Sequence, residues 1–557
     1  MTHGRVTRAD FASTATRDRN VARPIVLIGF RKAGNLGLGY LASALRARGY
    51  EVDLLEFEAS FDDVLAAIRR LDPIIVGFSL IFQFYIHRYM ALIRALRAEG
   101  VTAHFTMGGH FPTLSHGHTL ELIPELDSVV RFEGELTLLE LADAIGLRQE
   151  WRDISGIAYR RDGEGGANGE IVETPLRPLV SDLDELPYPD RSVEEPMVLG
   201  RRLVQVLASR GCIRTCSFCS IHMFYRQAPG KVVRTRRPAE VAREMRLLHE
   251  ERGATIFSFQ DDDFPVYGRV WQRWTLEFLE ELERNDLASR IIWKVNARAD
   301  AIDAELFARM REAGLYMVYM GLESGTEAGL VTLNKSITVE ENLRAVEILK
   351  DLRLVFDFGF MLLEPSSSFA SVLENVAFLR RIVGDGYMAA EFCRMIPYDG
   401  TPIKDELARQ GRLRGDVSNP DYDFLDPRLT DFYVVVNELL NLTGWIHGLR
   451  ALSPQLKHAW TEVAIIERLY PTVRDLESYR ARLQEMTRAS NAVLLDVVEG
   501  LARDFMAERR ITYSPDALRE QCTNFARELV ATRDAFIRQS QAEIVRSLGD
   551  AVPRAAE

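Results

Sequence analysis

The sequence predicts an α/β protein made of two successive strand–helix domains and a helical C-terminal domain. Three observations predict it. Apolar segments alternate with amphipathic helical stretches over residues 24–146, a second alternating series runs from 203 to 396, and from about residue 420 the pattern is helical only. A chain of 557 residues is also too long for a single hydrophobic core.

In the first series the strand candidates are PIVLIGF (24–30), EVDLLEF (51–57), IIVGFSL (74–80), VTAHFTMGG (101–109) and SVVRFEGE (128–135). Apolar strands that are each followed by a helix predict a parallel sheet covered on both faces. Five of them make a doubly wound, flavodoxin-like domain over 23–147, behind a polar leader at 1–22. Ligands of such a sheet bind at the carboxyl ends of its strands. Residues 148–200 carry the hairpin tip DGEGGANGE and the Pro-rich ELPYPDR, which predicts a linker with a small ribbon.

The second series offers LVQVLAS (203–209), TIFSFQD (255–261), IIWKVNA (291–297), YMVYMGL (316–322), VFDFGFMLL (355–363) and YMAAEFCRMI (387–396). With helices between them, these predict a partial (β/α)6 barrel over 201–415, with its site at the C-terminal ends of the strands. Residues 416–557 form the helical domain and show no internal repeat. Its aromatics Tyr422, Phe424, Phe432, Tyr433 and Trp445 read as core.

Composition is that of an ordinary globular protein, 47% hydrophobic and 27% charged, with no apolar run long enough to cross a bilayer. The leader has no apolar h-region, so the expected location is the cytoplasm. A net charge of −12 argues against non-specific nucleic-acid binding. Three of the five cysteines are crowded between 212 and 219, which suits metal or cluster ligation and not a disulfide framework.

The segment SRGCIRTCSFCS sets Cys212, Cys216 and Cys219 in a CxxxCxxC spacing directly after a strand. Three such thiolates hold three corners of an iron–sulfur cubane and leave the fourth open. The alternative is zinc, which wants a fourth ligand such as His222. Cys393 and Cys522 stand alone and read as buried thiols.

With Phe218 before the third cysteine, the motif resembles that of the radical S-adenosylmethionine (SAM) superfamily. The resemblance implies a [4Fe–4S] cluster whose open iron is chelated by SAM, and an electron from the cluster that cleaves SAM to methionine and a 5′-deoxyadenosyl radical. It continues from about 200 to 405. QDDDF (260–264) places Asp261 and Asp262 where the family binds SAM, NARAD (296–300) supplies Arg298, and GLESGTE (321–327), followed by LNKSIT, supplies Glu323 and Ser324 for the ribose. YDGTP (398–402) is similar to the family's PGTP turn, with Asp399 in place of proline, a departure that reads as minor. Apart from the family, acidic strand ends are often only helix N-caps. Arg234, Arg236 and Arg237 read as a solvated edge in preference to a SAM-facing one.

The first domain resembles the cobalamin-binding subgroup of that superfamily. The matching landmarks are GNLGLGYLASAL (Asn35, Leu36, Gly37), GFSL (Ser79, Leu80), GGHFPT (Gly108, Gly109) and FEGE (Glu133, Gly134). Glycines there let the backbone approach a large ring. The first loop, FRKAGNLG, lacks the DxHxxG histidine that ligates cobalt in many cobalamin domains. The resemblance then implies that the lower face of cobalamin meets the third loop, LIFQFYIH, through Ile81, Phe82 and Gln83, with His87 and His110 structural. A flavin is the alternative occupant.

The resemblance implies a class B radical SAM methyltransferase. It would move a methyl group from SAM via methylcobalamin to an unactivated carbon or phosphorus of a small-molecule or peptide substrate, in natural-product biosynthesis, with electrons from a flavodoxin or ferredoxin. The alternatives are a radical rearrangement or ring closure without methyl transfer, and a cobalamin-binding sensor. A methylthiotransferase fits less well because the chain has no second cysteine triad.

Overall fold

A computed structural model describes residues 23–32, 34–161, 169–509 and 513–549. The leader and residues 162–168 of the hairpin tip lie outside the described residues. The chain divides into two compact units, one drawn from 1–195, 209–240 and 397–421, the other from 196–208, 241–396 and 422–557.

The first unit is built on strands β1 (Ile25–Gly29), β2 (Val52–Glu56), β3 (Ile75–Ser79), β4 (His104–Gly108) and β5 (Ser128–Val130). They pair in parallel in the order β2-β1-β3-β4-β5, the doubly wound arrangement the pattern predicts. Its core is the alternation made visible. Val26, Ile28, Val76, Phe78, Phe105 and Met107 from the strands are buried against Ile68 of helix Phe61–Leu71 and Ile93 and Leu96 of helix Ile86–Ala98. The ribbon expected in the linker belongs instead to this sheet. Strand β6 (Ile157–Arg161) pairs antiparallel with β5, and β7 (Glu170–Glu173) with β6. The reason is apolar: Ile157, Ala158 and Tyr159 are buried, so the hairpin needs a partner that a solvated linker cannot give. Two short strands, β10 (Ser209–Arg210) and β11 (Arg234–Thr235), pair antiparallel around the cysteine segment. Phe224 and Tyr225 of helix Ser220–Gln227 pack there with Phe132 and Leu179.

In the second unit lie β8 (Met197–Val198), β9 (Arg201–Val206), β12 (Ala254–Phe259), β13 (Ile292–Arg298), β14 (Leu315–Glu323), β15 (Val355–Leu363) and β16 (Cys393–Arg394). They form one sheet in the order β16-β15-β14-β13-β12-β9-β8, parallel except for β8. This is the partial barrel, with its sixth strand much shortened. Of the segment 387–396 only Cys393 and Arg394 pair with β15. The backbone before them is claimed by Asn491 of helix Leu476–Met506, which accepts from the Ala390 amide at 2.8 Å and donates to the Met388 carbonyl at 2.9 Å.

The helices Arg428–Thr443, Leu452–Leu469, Leu476–Met506 and Pro515–Gly549 fall in the same unit as this sheet and are not a separate body. Helix Leu452–Leu469 lies against the sheet, where Thr461 Oγ1 meets Met317 Sδ at 3.9 Å. Tyr422, Phe424, Phe432 and Trp445 are buried as expected. Tyr433 is half-buried and its ring flanks the Arg394 guanidinium with those of Tyr422 and Phe424. Among the described residues no helix is long and apolar enough to cross a membrane.

Candidate active site

The cysteine loop of the first unit follows β10. Gly211 sits at φ +89, and a Cβ there would overlap the Val232 carbonyl, so only glycine lets the two segments lie this close. The Cys219 amide donates to the Cys216 carbonyl at 3.2 Å, closing a tight turn immediately before helix Ser220–Gln227. A bond from the Ile403 amide to the Ser217 carbonyl, 3.0 Å, fixes the loop from the other side. Cys216 is buried, while Cys212, Cys219 and Phe218 are half-buried, and all three thiols are free of disulfides. Among the described residues no three His, Cys, Asp or Glu side chains converge on one point.

The basic run after the loop is no solvated edge. Arg234 is buried, with Nη1 donating to both Glu133 oxygens and to the Val180 carbonyl, each at 2.9 Å. Arg210 reaches Glu133 at 3.2 Å and Glu135 at 2.7 Å. Arg236 is buried beside Asp184, and Arg237, itself exposed, donates to the same carboxylate from its backbone at 2.7 Å. Buried carboxylates are tolerable only when paired, which explains why this run is basic. Glu133, expected to touch a cofactor, therefore spends its carboxylate inside the protein. Burial is the largest influence on it and acts upward, but Arg210, Arg234 and the Val180 amide outweigh it and hold the carboxyl below its ordinary range.

The other residues singled out in this unit cluster where the parallel strands end. Ser79 closes β3, its carbonyl accepting from Tyr89 at 2.7 Å, and the Leu80 amide bonds the Gly108 carbonyl at 2.9 Å. Gly109 has φ +114, and a Cβ there would overlap the Leu80 carbonyl. Gly134 precedes helix Glu135–Gly146. Asn35 caps helix Leu36–Ala47 by accepting from the Leu38 amide at 3.2 Å, while its buried Nδ2 has no partner among the described residues. Leu36 is half-buried and Gly37 exposed.

In the third loop Ile81 is half-buried, and Phe82 is exposed and stacked on Phe84 at 5.3 Å. Gln83 is buried, and its amide is consumed. It donates to Asp399 at 3.1 Å and to the Val417 carbonyl at 2.7 Å, and accepts from the Asp399 amide at 2.8 Å. Asp399 also takes bonds from Ser115, 3.1 Å, and Lys404. The residue standing in the proline position of the PGTP-like turn is thus a hub and not a minor departure. His110 packs edge-on against Phe224 at 4.6 Å, burial pulling its pKa down to about 4, and His87 is exposed. A strand-end rim that admits no Cβ and an orphaned buried amide suit a large ring with a polar tail.

In the second unit the candidates again sit at strand ends. Asp261 is buried and accepts from the Ala208 amide at 3.1 Å, and the Asn296 amide holds the Asp261 carbonyl at 3.0 Å. Asp262 beside it is exposed. Arg298 ends β13, paired with Asp300 at 3.0 Å and donating to the Lys335 carbonyl at 2.7 Å. Glu323 ends β14 at φ +65, a left-handed conformation that a non-glycine residue takes only when its surroundings impose it. Its carboxylate pairs with buried Lys335 at 3.0 Å. Ser324 is fully buried, its hydroxyl donating to Asn375 at 3.3 Å and accepting from the Thr326 amide at 3.2 Å. That hydroxyl shapes the turn. Lys335 was not singled out from sequence, although it stands in the LNKSIT segment beside the motif.

Comparison with known proteins agrees with both halves. Residues 31–142 match the B12 binding domain family and residues 206–375 the Radical SAM superfamily. An uncharacterized methyltransferase of Pyrococcus horikoshii is 29% identical, with 70% of this chain and 82% of that one covered. An anaerobic magnesium-protoporphyrin IX monomethyl ester cyclase of Rubrivivax gelatinosus is 31% identical over 58% of each chain. Among solved structures the cobalamin-dependent SAM radical enzyme OxsB superposes with TM-score 0.65 at 16% identity, covering 95% of this chain and 83% of its own. The radical SAM methyltransferase TsrM of Kitasatospora setae gives 0.58 at 20% identity, covering 70% and 75%.

The two sheets, each with its glycine- or acid-lined strand ends, define a cofactor enzyme of two α/β parts. The chain belongs to the radical SAM superfamily, in the subgroup that carries a B12-binding domain. Its cofactors are a [4Fe–4S] cluster, SAM and cobalamin.

Proposed function

We propose that this chain is a cobalamin-dependent radical SAM methyltransferase acting on an unactivated carbon or phosphorus of a small-molecule or peptide substrate, in natural-product biosynthesis. The observation that carries it is the union in one chain of a three-cysteine radical SAM loop with a B12-binding sheet. When bound, cobalamin supplies a carrier for the methyl group, and the cluster supplies the electron that cleaves SAM to the 5′-deoxyadenosyl radical.

Cys212, Cys216 and Cys219 are the cluster ligands in this reading. Phe218, Asp261, Asp262, Arg298, Glu323 and Ser324 surround SAM, with Glu323 oriented by Lys335 and Ser324 acting by shaping the turn. Asn35, Leu36, Gly37, Ser79, Leu80, Ile81, Gln83, Gly108, Gly109 and Gly134 receive cobalamin, Gln83 as part of the wall and Glu133 from behind it. The enzyme works in the cytoplasm with a flavodoxin or ferredoxin as electron donor, which suits a cluster that must be reduced.

The test is anaerobic reconstitution with SAM, cobalamin and a reductant. Formation of both S-adenosylhomocysteine and 5′-deoxyadenosine is expected. The cyclase relative favours a second reading, radical ring closure without methyl transfer, which yields 5′-deoxyadenosine alone. Failure to cleave SAM at all would overturn both.

A further inference from the structure

Residues 397–421 follow the barrel in sequence, yet they belong to the first unit, with the B12-binding sheet and the cysteine loop. One turn of that segment, residues 398–403, touches loops of both. Asp399 is its centre. Its Oδ1 accepts from Gln83 Nε2 at 3.1 Å and pairs with Lys404, and its Oδ2 accepts from the Ser115 hydroxyl at 3.1 Å. Its backbone amide donates to Gln83 Oε1 at 2.8 Å. Gln83 belongs to the third loop, and Ser115 closes helix His110–Leu114 after Gly109. Two of the loops assigned to cobalamin therefore meet on one carboxylate, whose side chain is only 11% exposed. With its second amide hydrogen on the Val417 carbonyl at 2.7 Å, Gln83 satisfies both N–H groups and its oxygen on this segment alone.

The other end of the turn reaches the cysteine loop. Gly400, at φ +76, packs on Leu114, where a Cβ would come within 2.7 Å of the Leu114 side chain. Thr401 is fully buried, and its hydroxyl donates to the Tyr398 carbonyl at 2.6 Å and closes the turn. Helix Pro402–Arg409 begins there, and the amide of its second residue, Ile403, has no acceptor within the helix. It donates instead to the Ser217 carbonyl at 3.0 Å, between Cys216 and Cys219. The path from Gln83 to Ser217 is thus a short, closed piece of backbone held by hydrogen bonds at both ends.

A loop that binds a cofactor loses freedom, and a loop tied to it through such a turn has less freedom left to lose. We propose that the 398–403 turn couples the two cofactor sites, with Asp399 as the positioning residue, so that assembly of the cluster on Cys212, Cys216 and Cys219 tightens cobalamin binding. By linkage, bound cobalamin favours the cluster by the same factor. The inference rests on the two cofactors and not on the transfer of a methyl group.

The experiment uses the full chain without SAM or reductant, so that nothing turns over. Hydroxocobalamin is titrated anaerobically by equilibrium dialysis into protein with and without the reconstituted cluster, and the ratio of the two dissociation constants is read. Wild type should bind about fivefold or more tightly once the cluster is present. D399N sets an amide NH2 against the donors of Gln83, Ser115 and Lys404, and Q83M leaves the third loop without its bonds to the turn. Each should bring the ratio to about one, whatever it does to the affinity itself, and the double variant should go no further than either single. D399E, which keeps the carboxylate, should recover part of the ratio. A general loss of stability lowers both affinities together and leaves the ratio where it was. A ratio of about one in wild type, or a wild-type ratio in D399N and Q83M, overturns the proposal. Methyl transfer is read apart, as S-adenosylhomocysteine formed with reductant, so either idea can fail alone.

Discussion

Glu133→Gln tests how the first unit holds the ground behind its cysteine loop. The carboxylate accepts from Arg234 with both oxygens at 2.9 Å, from Arg210 at 3.2 Å and from the Val180 amide at 2.7 Å. The side chains of Glu133 and Arg234 are 6% and 1% exposed, so solvent screens little of this. Glutamine keeps the volume and one acceptor oxygen but removes the charge and turns an amide NH2 donor toward guanidinium donors. Arg234 and Arg210 would share at most one remaining oxygen at position 133, beside the Val180 carbonyl and Glu135 respectively. Removing one side of a buried ion pair costs about 3–5 kcal/mol. In a unit of roughly 250 residues, each kcal/mol lowers the midpoint by about 2–4 °C, so a drop of at least about 6 °C is expected.

Because Arg210 stands just before Cys212, iron retained after reconstitution should fall as well. The assay is thermal unfolding followed by circular dichroism, beside iron content, for wild type, E133Q and the apolar double variant E133L/R234M. The double variant should recover part of the loss, since no unpaired charge remains at Arg234. The pH dependence has a definite sign. A carboxyl held below its unfolded value contributes stability that is present above about pH 4.5 and is lost as the pH falls through the folded value. The gap between wild type and E133Q should therefore narrow below pH 4.5. A midpoint change under about 1 °C, or a gap that stays constant down to pH 3, would refute the network as drawn.

Three further outcomes follow from the same geometry. Gly109→Ala should lose cobalamin on desalting, read from the corrin absorbance, because its Cβ cannot coexist with the Leu80 carbonyl at φ +114; full retention would show that the β4 end is not part of the cradle. Glu323→Gln should weaken SAM binding by about tenfold or more in calorimetry, since it strands Lys335 and removes the one acid held in a left-handed turn at the β14 end; unchanged affinity would remove Glu323 from the site. Cys393 should alkylate with iodoacetamide far more slowly at pH 8 than a free thiol does, with a rate that still rises above pH 10, because burial pushes its thiol up to about 12; a plateau near pH 9 would deny that desolvation.

What the sequence made legible, and what it did not, divides by the range of the interaction. The five parallel strands of the first sheet and the first five of the barrel announce themselves in local apolar runs, and the three cysteines in a segment of a dozen residues. YMAAEFCRMI misled because a continuous apolar run serves equally for a strand and for a buried segment, and the choice is made by Asn491, far along the chain. The same holds for charge. Glu133 at a strand end resembles a ligand contact and Arg234 a solvated residue, and neither pattern shows that the two pair with each other. Gln83 and Asp399, more than 300 residues apart, repeat the lesson with neutral and acidic partners. A buried acid and an unexplained basic run in one chain are candidates for each other before either is assigned to a ligand, since neither can be buried alone. Applied to the barrel, that rule pairs Lys335 with Glu323 and Arg298 with Asp300, and sets Lys457 between Asp357 and Glu391.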